Sequence, residues 1–237
     1  MTTARRVLVT GGSRGIGLAI AHRMVADGHQ VVVTSRSGDP VEGLTVVPCE
    51  VTDTESVDAA FAAAQEHLGG AVEVLVANAG ITKDTLLMRM SDDDFTEVTD
   101  TNLTGTFRCV RKAATPMVRA RFGRLILISS VVGLYGSPGQ VNYASSKSAL
   151  VGLARSVTRE LGARGITANV VAPGFVETDM TAVLPEKTQK EYQASIPARR
   201  FAAPEEVAAA VAFLASDDAA YISGAVIPVD GGLGMGH

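Results

Sequence analysis

Two kinds of hydrophobic pattern alternate along the chain. Short unbroken apolar runs occupy Arg5–Thr10, Val31–Val33, Leu44–Cys49, Val72–Ala77, Arg124–Ile128, Ile166–Ala172 and Ala225–Val229. Runs of this length with no polar alternation predict strands buried on both faces. Between them lie stretches whose apolar residues recur every three to four positions, the helix period. Gly15–Asp27 presents Ile16, Ala19, Ile20 and Met24 on one face and stops at Gly28. Thr54–Leu68 follows Asp53, a suitable N-cap, and stops at Gly69-Gly70. Asp92–Arg119 reads as one long helix bent near Pro116, and Tyr143–Leu161 and Pro204–Ala215 as two more. Thr181–Gln193 is polar and only weakly helical.

This β-α-β alternation predicts an α/β fold: a Rossmann-like, doubly wound parallel sheet of about seven strands with helices on both faces. Nothing resembles a linker, a repeat or a low-complexity tract, so residues 1–237 are expected to form one domain. Aromatic residues are only 5% and Trp is absent, so the core must be built from Val, Leu, Ile and Ala. A formal net charge of −4 argues against a dedicated nucleic-acid binder. Cys49 and Cys109 are far apart with no CxxC, which predicts neither a zinc site nor a disulfide framework. No apolar stretch reaches membrane-spanning length and no signal-like segment follows Arg5-Arg6, so no membrane association and a cytoplasmic location are expected.

After the first predicted strand comes Thr10-Gly11-Gly12-Ser13-Arg14-Gly15-Ile16-Gly17. Glycines at such a turn let a pyrophosphate approach the backbone, and the following helix N-terminus offers free N–H groups to it. A glycine-rich connection without a ligand is the competing reading. A chain that binds NAD places an acid about 20 residues beyond the loop, on the ribose 2′-hydroxyl. Here the second strand ends Thr34-Ser35-Arg36-Ser37, with no acid before Asp39. Arg36 and Arg14 can instead converge on a 2′-phosphate, which points to NADPH.

Tyr143 and Lys147 stand four residues apart and share a helix face. An ammonium beside a phenol lowers its pKa and makes it a usable proton donor and acceptor, the group that ketone reduction needs. Ser130 closes the fifth strand, Leu125-Ile126-Leu127-Ile128-Ser129-Ser130, at the edge where open α/β sheets bind ligands. There it can hydrogen-bond a carbonyl oxygen. Asn102 falls inside the long helix, an unfavourable place for Asn.

These segments resemble the short-chain dehydrogenase/reductase family. The spacing Gly11-x-x-x-Gly15-x-Gly17 is that family's glycine loop, and Asn78-Ala79-Gly80 is a second match. The resemblance implies that Gly11, Ser13, Arg14, Gly15, Ile16, Gly17, Arg36, Glu50, Val51, Asn78, Ala79, Gly80, Tyr143, Lys147, Pro173, Gly174, Val176 and Thr178 bind the cofactor. Glu50 departs from the family's usual Asp near the adenine. Asn102, Ser130, Tyr143 and Lys147 are implied as the catalytic set, with Asn102 and the lysine holding a relay water. No metal is implied.

Within the family, segments such as Gly139-Gln140-Val141-Asn142-Tyr143 and Ile222-Ser223-Gly224 are similar to bacterial 3-oxoacyl-acyl-carrier-protein reductases. That similarity implies an acyl carrier protein as partner, docking on Arg121 and Arg164, in type II fatty-acid synthesis. Six basic residues and no acid lie between Thr101 and Arg124, a local patch that would attract such a partner. The resemblance also implies a homotetramer, with Leu150, Leu153, Ala154 and Val157 as candidate seam residues if they do not pack on the parent sheet. Residues 178–200 are expected to form a substrate lid. Polyketide, acetoacetyl-CoA and hydroxysteroid reductases, and an inactive nucleotide-sensing protein, remain as alternatives.

Overall fold

A computed structural model describes residues 3–178, 181 and 185–235. Seven strands, all paired in parallel, form one sheet in the order β3-β2-β1-β4-β5-β6-β7. They are β1 (Arg6–Thr10), β2 (Gln30–Ser35), β3 (Thr45–Pro48), β4 (Val74–Ala77), β5 (Gly123–Ile128), β6 (Ile166–Pro173) and β7 (Val226–Val229). The connecting helices are α1 (Gly15–Ala26), α2 (Thr54–His67), α3 (Asp92–Thr99), α4 (Gly105–Ala120), α5 (Val132–Tyr135), α6 (Val141–Leu161), α7 (Glu186–Ser195) and α8 (Pro204–Ala215).

The pleat divides the strand residues between two cores. Leu8, Leu75, Leu125 and Leu127 point to one face, where Phe61 of α2, Met117 of α4 and Leu150 of α6 cover them. Their neighbours Val7, Val9, Val74, Val76, Ile126 and Ile128 point to the other, under Ile20 and Met24 of α1 and Val207 and Val211 of α8. Both faces are covered, which is why the strands read as unbroken apolar runs. Cys49 and Cys109 are free and sit in the first core, where burial pushes their thiols up to about 11 and about 12. Leu150 and Ala154 also belong to that core, with Leu153 and Val157 packed against it. All four pack on the parent sheet.

The expected single helix over Asp92–Arg119 is interrupted, but not at Pro116. A five-residue π-helical turn, Asp100–Thr104, separates α3 from α4, and Pro116 lies within α4. In the lid region α7 begins later than the polar pattern indicated, and residues 179–180 and 182–184 lie outside the described residues. Phe175 stacks on Tyr192 of α7 at 4.5 Å and on Phe201 at 5.6 Å, and so ties α7 to the end of β6. Among the described residues no helix is long and apolar enough to cross a membrane.

Candidate active site

The chain runs from β1 outward to β2 and β3, then returns to place β4 on the other side of β1. The loops after β1 and β4 therefore diverge and leave a crevice at the carboxyl edge. The glycine loop lines one side of it. Gly11 and Gly15 have φ of +64° and +53°, the left-handed region that favours glycine. Gly17 is buried: a Cβ there would sit 2.3 Å from the Gly11 carbonyl oxygen and 2.5 Å from Asn78 Nδ2. It closes the loop on itself rather than facing a ligand.

α1 starts from an extended Arg14 with no side-chain cap, so its first N–H groups have no side-chain acceptor. That end fits a pyrophosphate. Thr178 stands over it, its Cγ2 3.5 Å from where a Gly15 Cβ would lie. Ser13 and Ile16, in the loop and at its exit into α1, are partly buried. Asn78 holds the crevice together, its amide donating to the carbonyls of Thr10 (3.1 Å) and Gly11 (2.9 Å). The N–H groups of Asn78 and Ala79 both donate to Thr10 Oγ1.

Arg14 and Arg36 stand exposed at the carboxyl ends of adjacent strands, and neither forms an ion pair among the described residues. Glu50 Oε1 instead accepts the Thr52 N–H at 3.1 Å, and Val51 is buried against Gly105. Pro173 ends β6, Gly174 abuts Asp230 too closely for a Cβ, and Val176 is buried in a bridge with Ala202.

Tyr143, Lys147, Ser130 and Asn102 come together beside Gly80. A Cβ on Gly80 would lie 3.0 Å from Asn102 Oδ1 and 3.3 Å from Lys147 Nζ, so only glycine leaves both groups in place. The Ser130 hydroxyl neighbours the Tyr143 phenol and favours its ionised form. Ser130 Oγ also accepts the Val132 N–H at 3.2 Å from the short helix α5. Lys147 is buried, and its ammonium donates to the Ile128 carbonyl at 2.8 Å, while Ser129 Oγ donates to the Lys147 carbonyl at 2.8 Å.

The spacing argument had Lys147 lowering the Tyr143 pKa. In this arrangement burial pushes the phenol up to about 12, with the neighbouring Ser130 hydroxyl acting in the opposite direction. The ammonium lies 5.7 Å from the Tyr143 ring centroid and is turned to Ile128. Burial lowers Lys147 itself to about 8.

Asn102 sits in the π turn, fully buried. Such turns recur at functional sites. Its Oδ1 accepts the Ile81 N–H (2.8 Å), and its Nδ2 donates to the Ile81 carbonyl (3.0 Å) and to Ser146 Oγ (3.1 Å). Both amide hydrogens are thus committed within the protein. A relay water would therefore donate to one of the Asn102 acceptors, Oδ1 or the backbone carbonyl, the latter also accepting from Thr106 Oγ1 at 2.8 Å.

Asn142 and Ser146, both fully buried beside Tyr143, did not emerge from the sequence reading. The signal was there: Asn142, Ser146, Leu150 and Ala154 form one i, i+4 row on α6.

Three of the six basic residues of the patch are paired or buried. Arg108 pairs with Asp100 at 3.1 Å and Lys112 with Asp58 at 2.7 Å, while Arg124 is buried. Arg121 and Arg164 are exposed, but they precede β5 and β6 at the amino edge, opposite the crevice. Arg164 lies past the C-terminal end of α6, whose N-terminal turn carries Tyr143; at 1.5 Å per residue this places it roughly 30 Å away. The structure therefore does not bring the two arginines to the catalytic end of their own protomer.

Residues 11–234 match the family model described as enoyl-(acyl carrier protein) reductase. The chain is 56% identical to 3-oxoacyl-acyl-carrier-protein reductase MabA of Mycobacterium tuberculosis, over 99% of this chain and 94% of that protein. It is 44% identical to 3-oxoacyl-acyl-carrier-protein reductase FabG of Escherichia coli, over 96% of each. The chain belongs to the short-chain dehydrogenase/reductase family. It is accordingly an oxidoreductase that uses a nicotinamide cofactor.

Proposed function

We propose that this protein reduces a 3-oxoacyl thioester, carried on acyl carrier protein, to the 3-hydroxyacyl thioester with NADPH. The observation that carries this reading is the meeting of Tyr143 with the buried Lys147 ammonium, 5.7 Å from its ring centroid, and with the buried Ser130 just past β5 at the carboxyl edge. Two donors converge there on one place for a ketone oxygen. A bound nicotinamide supplies the hydride to the carbonyl carbon. Ser130 donates to the carbonyl oxygen as negative charge grows on it. Tyr143, pushed up to about 12, is protonated at neutrality and gives its phenolic proton to that oxygen, completing the hydroxyl. Lys147, at about 8, is mainly cationic at neutrality and favours the phenolate that this step leaves.

NADPH rather than NADH follows from Arg14, Arg36 and the absence of an acid at the end of β2. The 3-oxoacyl substrate and its carrier follow from what both relatives are named for. Docking at Arg121 and Arg164 goes with the homotetramer. An antiparallel pairing of α4 and α6 about a two-fold axis would carry these arginines to the neighbouring protomer's catalytic end. Residues 178–200, which include α7, act as the lid of this single domain.

The test is steady-state NADPH oxidation with acetoacetyl-acyl-carrier-protein, acetoacetyl-CoA and NADH controls. Turnover is expected with the carrier substrate and NADPH, and its absence would overturn the reading. Arg121→Glu with Arg164→Glu should lower kcat/KM for the carrier substrate by about tenfold or more, most at low salt, and spare the CoA thioester. Equal losses on both would remove the docking role.

A further inference from the structure

Two polar side chains on α6, Asn142 and Ser146, are completely buried. Their row continues as Leu150 and Ala154, which are core residues of the sheet. Packing alone would be met by apolar side chains here; Ser is a poor helix-interior residue, and Asn142 stands in the first turn of α6, where backbone N–H groups have no intrahelical partner. Their hydrogen bonds explain the choice.

Both peptide groups of Tyr143 are held by this pair. Asn142 Oδ1 accepts the Tyr143 N–H at 2.8 Å, and Ser146 Oγ donates to the Tyr143 carbonyl at 2.8 Å. Each side chain then reaches a different element. Asn142 Nδ2 donates to the carbonyls of Lys83 (3.0 Å) and Asp94 (3.1 Å), in the loop after β4 and in α3. Ser146 Oγ accepts from Asn102 Nδ2 (3.1 Å) in the π turn.

The segments so joined are fastened again nearby. The Lys83 ammonium grips Asp94 (3.0 Å) and Glu97 (2.7 Å). Gln140 donates to Asp84 (2.9 Å), and the Thr85 N–H to the Gly139 carbonyl (2.8 Å). The start of α6 is thus fixed to the loop that leaves the cofactor side of the crevice at Gly80.

We propose that Asn142 and Ser146 are positioning residues for the proton donor. They set where the Tyr143 hydroxyl stands relative to Ser130 and to the committed Asn102 amide. This rests on the reductase reading above. A displacement of about 1 Å at a reacting group costs up to about 10²-fold in rate, which is the scale of effect open to such residues.

The experiment compares wild type, Ser146→Ala, Ser146→Thr and Asn142→Ala with NADPH and acetoacetyl-acyl-carrier-protein, well below each variant's unfolding temperature. Ser146→Ala should lower kcat by about tenfold while the KM for NADPH stays within about twofold. Ser146→Thr keeps the hydroxyl and should recover most of that loss. Asn142→Ala should show the same split between kcat and KM; if it does not fold, the two Ser146 variants decide the matter alone. A kcat for Ser146→Ala within about fivefold of wild type overturns the positioning role and leaves the reductase reading intact, as does an equal loss in Ser146→Thr. An inactive wild type overturns the reductase reading and the positioning role with it.

Discussion

Replacing Tyr143 by Phe isolates the proton from everything else the residue does. The ring is kept, and with it the packing against the cleft. At most one hydrogen bond, to the neighbouring Ser130, is removed, and Ser130 retains the Val132 N–H at 3.2 Å. A single hydrogen bond contributes about 0.5–1.5 kcal/mol net. For a domain of this size each kcal/mol is about 2–4 °C of Tm, so unfolding should move by only a few degrees. Turnover should fall by about 10²–10⁴-fold, the value of a positioned general acid. In the unaltered protein the phenol, pushed up to about 12, is protonated throughout the neutral range, so the loss should not vary with pH there. The assay is steady-state NADPH oxidation with a 3-oxoacyl thioester, alongside NADPH titration by fluorescence and a melting curve. Near wild-type NADPH affinity and Tm with collapsed kcat is the expected result. A variant that keeps more than about a tenth of the rate would refute the assignment, because another group would then be supplying the proton.

Lys147, lowered to about 8, loses its charge as pH rises through that value, whereas Tyr143 stays protonated until about 12. kcat/KM for reduction should therefore be level below neutrality and decline above about pH 8; a profile still rising at that point would contradict this. Gly17→Ala would set a methyl 2.3 Å from the Gly11 carbonyl, so it should cost about 1–3 kcal/mol in a denaturant melt and abolish detectable NADPH binding. Unchanged affinity would mean that the loop is not the cofactor's cradle. Arg36→Asp should weaken NADPH and strengthen NADH in paired kcat/KM measurements, and equal use of both by the unaltered protein would dispose of the idea.

The strands were legible because both faces of the sheet are covered, which leaves apolar runs such as Leu125–Ile128 with no polar alternation to confuse them. The grouping of Asn102, Ser130, Tyr143 and Lys147 was legible because order and spacing survive in one dimension. α5 was not: four residues around Gly133 carry no period. Nor was the π turn, which alters no composition and left only the oddity of Asn102 in a helix. The pairing inside the charge patch was not legible because its partners are distant in sequence, Asp58 for Lys112 and Asp217 beside the buried Arg124. Asn142 and Ser146 were passed over for a related reason. A polar residue in a helical pattern reads as a solvated face until its row is followed to Leu150.

The π turn at Asp100–Thr104 sets the rotational phase between two helices. One residue added to an α-helical path turns everything beyond it by about 100°. α3 can therefore bury Val98 and turn the Asp94 carbonyl toward α6 while α4 lays Cys109, Ala113 and Met117 into the sheet. Deleting a single residue between Thr99 and Gly105 would regularise the helix and swing one of those faces into water. The stretch lies between ordinary helices, yet it has no freedom of length: evolution can exchange side chains there, but an insertion or deletion of one residue would dismantle the cleft.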